Sequence, residues 1–279
     1  MKILQKLNNM NTIWFLFAWY AHQWLSLFFH SFFLHRYGAH KQFTMSKTTE
    51  KVFFVLTWLF MGSSFLNPRA YAYMHRLHHR HSDKPGDPHS PTPFYWPWAM
   101  GYDYFPKVFP FMWHTGKEYG KIIKGKNNLV DDEIRRIPPP HWRSFERIAS
   151  SGWSAIVFVS LYAWFYIEFA PALWLGVILF PFTVLSGPFL GSVVNWFGHT
   201  RSTGYVNYRD TDDQSANAFV LGHLLHSESN QNNHHKFPNS ANFAKKWYEI
   251  DTTWWIIKLL AWFKIITLSD ECKKELQMA

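Results

Sequence analysis

Histidine is the residue type through which this chain could do chemistry. Sixteen histidines stand among 279 residues, against a single cysteine, Cys272. Four short clusters hold most of the candidates. His35 and His40 bracket HRYGAH; His75, His78 and His79 form HRLHH; His199 ends NWFGH after Asn195; His234 and His235 close QNNHH after Gln231. On a helix, residues at i, i+3 and i+4 share a face. His75, His78 and His79 can therefore point at one place, as can Asn195 with His199, and Gln231 with His234 and His235. His35 and His40 lie five apart, about 140° around an α-helix, which suits a splayed helix end reaching around a site. A tetrahedral zinc takes four ligands, so these imidazoles are too many for one ion. Imidazole-rich sets suit iron, copper, nickel or zinc, and two ions sharing about eight nitrogens is the simplest count.

Each piece also has a plainer reading. A lone histidine in an apolar run, such as His22 or His30, is more often a hydrogen-bonded packing residue. His81, His89, His114 and His141 are expected at the surface or in support of other groups, and His223 and His226 fit either role. HRLHH alone would pass for a charged helix face; four spaced clusters on one side of a membrane would not. The single cysteine excludes a disulfide framework and a thiolate-built zinc site. Carboxylates close to the clusters in sequence, Asp83, Asp87, Glu228 and Asp251, are candidates for fixing the ring tautomers.

The elements that must position these groups show in the charge pattern. The net charge is +9, 20% of the residues are aromatic and 17% are charged. Lys2 and Lys6 are followed by 17 basic residues between Arg36 and Arg147, none from 148 to 200, and nine from Arg201 onward. A nucleic-acid binder would gather its basic residues on one face without such a gap, so no nucleic-acid partner is expected. In a membrane protein the same pattern is the positive-inside bias. The gap holds one charge, Glu168, and divides into two runs of about 20 residues, the length that crosses roughly 30 Å of hydrocarbon. Spans are expected at about 12–34, 150–169 and 172–195. The shorter runs at about 52–66 and 252–268 read as interfacial helices. By parity, every histidine cluster then falls on the basic, cytosolic side. The stretch 82–147, rich in Pro, Gly and charge, reads as loops and short helices. No cleavable signal peptide is expected. The fold class is all-α, a single domain over 1–279: an integral membrane bundle of three to four spans, capped by a cytosolic helical domain that carries the clusters.

The four clusters, HRYGAH, HRLHHRHSDKPGDPH, NWFGH and NNHHKFP, resemble the histidine boxes of the membrane fatty acyl desaturases of the stearoyl-CoA desaturase class. Their order and their separation by two spans match as well. The resemblance implies two irons at the cytosolic mouth of a four-helix bundle. It also implies an acyl chain in a bent apolar tunnel, and the use of O2 and two electrons to remove two hydrogens. By position, His35, His40, His75, His79 and His234 would hold one iron. His78, His199 and His235 would hold the other, with Asn195 attached through a water. The chain departs from the family in two places. Gln231 stands at the first position of the third box, HxxHH in the family, and is expected to act on the second iron directly or through a water, in preference to His226. Only 34 residues precede the first box, room for one span where the family usually has two.

An unactivated methylene is beyond side-chain acid–base chemistry, so the hard step would fall to a metal–oxygen species that the protein positions. The expected function is therefore an O2-dependent desaturase placing a cis double bond in a saturated acyl chain, acyl-CoA foremost among acyl-lipid substrates. A fatty acyl or lipid hydroxylase, or another diiron oxidase, is the alternative on the same scaffold. A metal transporter would place its ligands inside the spans near the midplane, which these clusters do not. Electrons are expected from a separate donor of the ferredoxin, rubredoxin or cytochrome b5 type. The expected setting is the lipid bilayer, the bacterial inner membrane ahead of the endoplasmic reticulum.

Overall fold

A computed structural model describes residues 2–92 and 104–278. Within them the chain is helical apart from one two-stranded ribbon. Helix α1 (Lys2–Phe29) runs directly into a π-helical segment (His30–Ala39) that carries His35 and is capped by His40. Strand β1 (Phe43–Met45) and helix α2 (Lys47–Met61) follow; the Ser46 hydroxyl caps α2 by accepting from Thr49 N–H. Gly62 ends α2 at φ 54°, a conformation that favours glycine. A Cβ there would sit 1.8 Å from the Tyr162 hydroxyl, so the close approach of this turn to the helix bearing Tyr162 also requires glycine.

Helix α3 (Pro68–His81) has the sequence marks of a strong start. The Asn67 side chain accepts from Ala70 N–H and proline occupies the first turn. Its last two turns hold the second cluster. Helix α4 (Tyr104–Ile123) packs on α3, and α5 (Asp132–Arg135) and α6 (Arg143–Ala149) lead to α7 (Gly152–Phe169). The stretch 82–147 is thus not only loops and short helices: α4 is 20 residues long. Pro110, Gly116 and Gly120 within it disguise the helix in sequence. Residues 93–103 of that stretch lie outside the described residues.

Helix α7 is apolar on every side, and Trp153, Ile156, Leu161, Trp164 and Ile167 stand exposed. The expected span at 172–195 is two helices, α8 (Leu173–Val184) and α9 (Ser186–Gly198), bent by 75° at Leu185. Pro188 explains the break. It has no N–H to give the Val184 carbonyl. Ser63 and Ser64 hydroxyls donate to that carbonyl instead, at 2.8 and 3.1 Å. Among the described residues α7 alone is long and apolar enough to cross a membrane, with the bent pair a second if it counts as one broken span.

The polar half of the chain closes over the other end. Short helices α10 (Phe219–Leu224) and α11 (Gln231–Lys236) precede α12 (Thr252–Trp262), strand β2 (Ile266–Leu268) and α13 (Asp270–Met278). The run expected as one helix over 252–268 therefore ends at Trp262 and finishes as a strand. β2 pairs antiparallel with β1, Phe43 opposite Leu268 and Met45 opposite Ile266. The ribbon ties the chain just after His40 to the C-terminal segment. The main core lies beneath it, with Phe32, Phe33, Phe43 and Phe54 fully buried. Each such ring stabilises the fold by about 1.5–3 kcal/mol, and together they anchor the histidine-bearing elements.

Candidate metal centre

The π-helical segment resolves the five-residue spacing. In a π-helix the hydrogen bond runs from i to i+5, so residues five apart stack on one face. His40 N–H donates to the His35 carbonyl at 3.1 Å, and the two rings lie 5.0 Å apart. The expected splayed helix end is instead a wider helix that aligns both imidazoles. On α3, His75 and His79 share one face, and His78 looks toward α9 and α11.

These elements bring eight imidazoles into two adjoining groups. The first is His35, His40, His75, His79 and His234. Its Nε2 atoms converge: His40 to His75 is 2.8 Å, His75 to His79 is 3.0 Å, His79 to His234 is 2.9 Å and His35 to His234 is 3.1 Å. Two imidazoles bound at right angles to one ion at about 2.0–2.1 Å would stand about 3.0 Å apart. A neutral imidazole has one donor and one acceptor nitrogen, so five Nε2 atoms facing one another cannot all be satisfied among themselves. A cation fits this donor set. The second group is His78, His199 and His235, with 3.2 Å between the Nε2 atoms of His78 and His235. The groups touch where the His79 ring stacks on His235 at 4.5 Å.

Carboxylates hold the far nitrogens of four rings. Glu228 receives His35 Nδ1 at 2.6 Å, Asp87 receives His78 Nδ1 at 2.9 Å, Asp83 receives His199 Nδ1 at 2.9 Å and Asp213 receives His235 Nδ1 at 2.6 Å. Such partners fix the tautomer that leaves Nε2 free to coordinate. Burial opposes the charge on Glu228, but His35 and the fully buried Arg36 outweigh it and hold the carboxyl well below its usual range. Burial, reinforced by neighbouring imidazoles, keeps His40, His75, His78, His79 and His234 far below the usual imidazole range. They are therefore neutral, the form a metal requires. His199 is raised: burial acts against the charge, and Asp83 overcomes it.

Two asparagines fix α11. Asn233 is fully buried, accepting from Asn207 and Asn217 and donating to the Phe243 carbonyl and Glu249. Asn232 is equally buried; its side-chain oxygen accepts from Asn207 and Tyr208 N–H, and its amide donates to the Tyr208 carbonyl. With both asparagine side chains fully engaged, the helix presents His234 and His235 in one orientation.

The first group faces a largely apolar cavity among α1, α3, α4 and α9 through His35 and His75. Leu27, Leu66, Met74, Phe111 and Pro188 line it, and His35, His75, His89, Asn195 and Gln231 stand at its polar end. A model of the fatty acid desaturase family matches residues 12–261. The chain belongs to the fatty acid desaturase family. It is 29% identical to a Delta-9 desaturase-like protein of Arabidopsis thaliana over 80% of its length, and 28% identical to an acyl-CoA 5-desaturase of Anemone leveillei over 82%. Against an sn-1 stearoyl-lipid 9-desaturase of Synechocystis the figures are 26% and 80%. The aligned region spans 64%, 63% and 61% of those three relatives.

Within this desaturase fold, some of the other expected residues stay at the site and some do not. Asn195 reaches the cavity while its amide donates to the Gly191 carbonyl at 2.8 Å. Gln231 reaches it too, its amide donating to the Glu228 carbonyl. His226 turns away from both groups, one ring nitrogen on the Thr252 hydroxyl and the other on the Trp24 carbonyl. His223 pairs with the Tyr248 carbonyl, and His22 with the Tyr162 hydroxyl, as a packing residue would. Asp251 meets no ring of either group; it pairs with Arg36 and caps α12 through Trp254 N–H. Two positions escaped sequence reasoning. Asp213 sits in a loop 22 residues before His235, so no motif marks it. His89 is not at the surface: it is 6% exposed and forms a third possible ligand group with His78 and Asp87.

Proposed function

We propose that this chain is an O2-dependent membrane fatty acyl desaturase with a histidine-bound diiron centre. One observation carries the reading: an apolar cavity ends on His35 and His75 of a five-imidazole group, which adjoins a second group of three carboxylate-backed imidazoles. His35, His40, His75, His79 and His234 would hold one iron; His78, His199 and His235 would hold the other, with Asn195 and Gln231 positioned to orient a water. Bound iron would supply the O2 chemistry and the one-electron steps that a methylene requires. The chain's own residues do the rest. Leu27, Met74 and Phe111 give an acyl chain an apolar wall and exclude water. Glu228, Asp83, Asp87 and Asp213 keep the rings aimed and basic. An acyl-CoA and a glycerolipid both offer the required acyl chain, and relatives named for each are similar to this one. Two electrons would come from a separate donor protein. The exposed apolar faces of α7 and α8 would meet lipid, with α2 and α12 at the interface and the basic loops on the cytosolic side.

Expression in a host lacking the activity, followed by analysis of extracted lipids, tests the reading. New cis-monounsaturated chains are expected, and they should be absent with His79→Ala. New hydroxyls without double bonds would point to hydroxylation on the same scaffold, and an unchanged profile would reject both.

A further inference from the structure

The second imidazole group is short of nitrogen. It has three rings where its neighbour has five, and the resemblance to the histidine boxes implies an imidazole at the position of Gln231. An amide oxygen is a harder, weaker donor to iron than an imidazole nitrogen. His226 is the nearest histidine in sequence, but both of its ring nitrogens are engaged elsewhere. His89 is different. It is 6% exposed, it lines the cavity, and its Nε2 is buried with no hydrogen-bond partner. Such an orphaned polar atom is costly unless something binds there.

Its setting points at the second group. The His89 ring lies 4.4 Å from the His78 ring, close to the 4.7–5.0 Å that separates His78, His199 and His235. The His89 backbone N–H donates to Asp87, the carboxylate that also holds His78 Nδ1. One side chain thus anchors both residues. We propose that His89 is the fourth nitrogen ligand of the second metal, replacing the imidazole missing at Gln231. The ligand atoms of His89 cluster with His78 and Asp87 rather than with His199 and His235. Ligation therefore requires the ring to swing about its Cα–Cβ bond while the backbone stays fixed on Asp87. Gln231 is left to orient water at the cavity end. The assignment rests on the diiron reading.

The test uses purified full-length protein loaded anaerobically with isotopically enriched ferrous iron. Iron per chain and Mössbauer spectra are read against a graded chelator, with no turnover involved. His89→Ala is expected to lower the affinity of the second site about tenfold or more, since losing only an outer partner costs 10–100-fold. The first site should keep its iron. The double variant His89→Ala with Gln231→His should regain the second iron, because an imidazole returns to the same sphere. His89→Gln guards against misfolding: it keeps the volume and should lose the same iron. Two irons with unchanged spectra in both His89 variants would overturn the assignment, as would a double variant no better than His89→Ala. If the wild-type chain binds no iron at either site, the diiron reading itself fails and takes this inference with it.

Discussion

The five-ring group and the three-ring group lie side by side but are built from different parts of the chain. The first draws on the π-helical segment, α3 and α11, and Glu228 is the carboxylate that orients one of its rings. The second has a carboxylate behind every ring: Asp87, Asp83 and Asp213. All three come from loops. In the first group convergence follows from crowding, with rigid helices leaving the nitrogens nowhere else to point. In the second, fewer rings are aimed one at a time by anionic partners. The first group should therefore tolerate the loss of an outer partner, and the second should not. His79 lies where they meet, its Nε2 near His75 and His234 and its ring on His235.

That position gives the largest expected effect. His79→Ala should remove iron from both sites and lower desaturation by about 100-fold or more, taking the cost of losing an outer partner as the floor. Iron analysis of the purified variant checks this. A variant that keeps one full iron would show that the two groups are independent after all.

The carboxylates separate the groups more finely. Asp213→Asn should weaken iron at the second site by 10–100-fold and leave the first unchanged. Glu228→Gln should behave differently. Glu228 also pairs with Arg36, which lies fully buried against Asp251 and the Ala241 carbonyl. Neutralising it leaves that guanidinium short of a partner, at a cost of about 3 kcal/mol. Its thermal midpoint should fall clearly while metal at the first site is only mildly weakened. Equal midpoints for the two variants would contradict this division between aiming and bracing.

How far the sequence reveals all this depends on whether a regular period carries the information. His75, His78 and His79 obey helical spacing on α3, flanked by Asn67 and Pro68 as start signals, so their convergence can be read directly. His35 and His40 do not obey it, because the α-helical period does not describe a π-helix. Asp213 has no period at all: a loop folds back across a long separation, and nothing local requires it. Asp251 is the converse, near a cluster in sequence but turned toward Arg36. The apolar run at 172–195 shows its composition yet hides its bend, which depends on Ser63 and Ser64 from a distant turn covering the carbonyl that Pro188 leaves open. Asn232 and Asn233 sit in plain view within QNNHH, but their role needs Asn207, Asn217 and Glu249, which only the fold brings together.

The smallest expected effect concerns the packing beneath the second group. Gly198, at the end of α9, faces Gln231: a Cβ there would lie 2.3 Å from Gln231 Cγ and 3.0 Å from its Cβ. Neither atom is a free chain end, so Gly198→Ala must push Gln231 and the start of α11 aside. Overpacking of this kind costs about 1–3 kcal/mol. Gly191, two turns earlier on the same helix, meets nothing within 4 Å, so Gly191→Ala supplies the control. Gln231 shares a face of α11 with His235, one turn along, so the displacement should reach the second site before the first. Gly198→Ala is expected to lower the thermal midpoint and to release iron from the second site at lower chelator concentration, with the first site unmoved. Gly191→Ala should leave midpoint and iron release as in the wild type. If the two alanines act alike, the contact between Gly198 and Gln231 does not set the geometry of the second group, and the contrast between the groups would rest on their carboxylates alone.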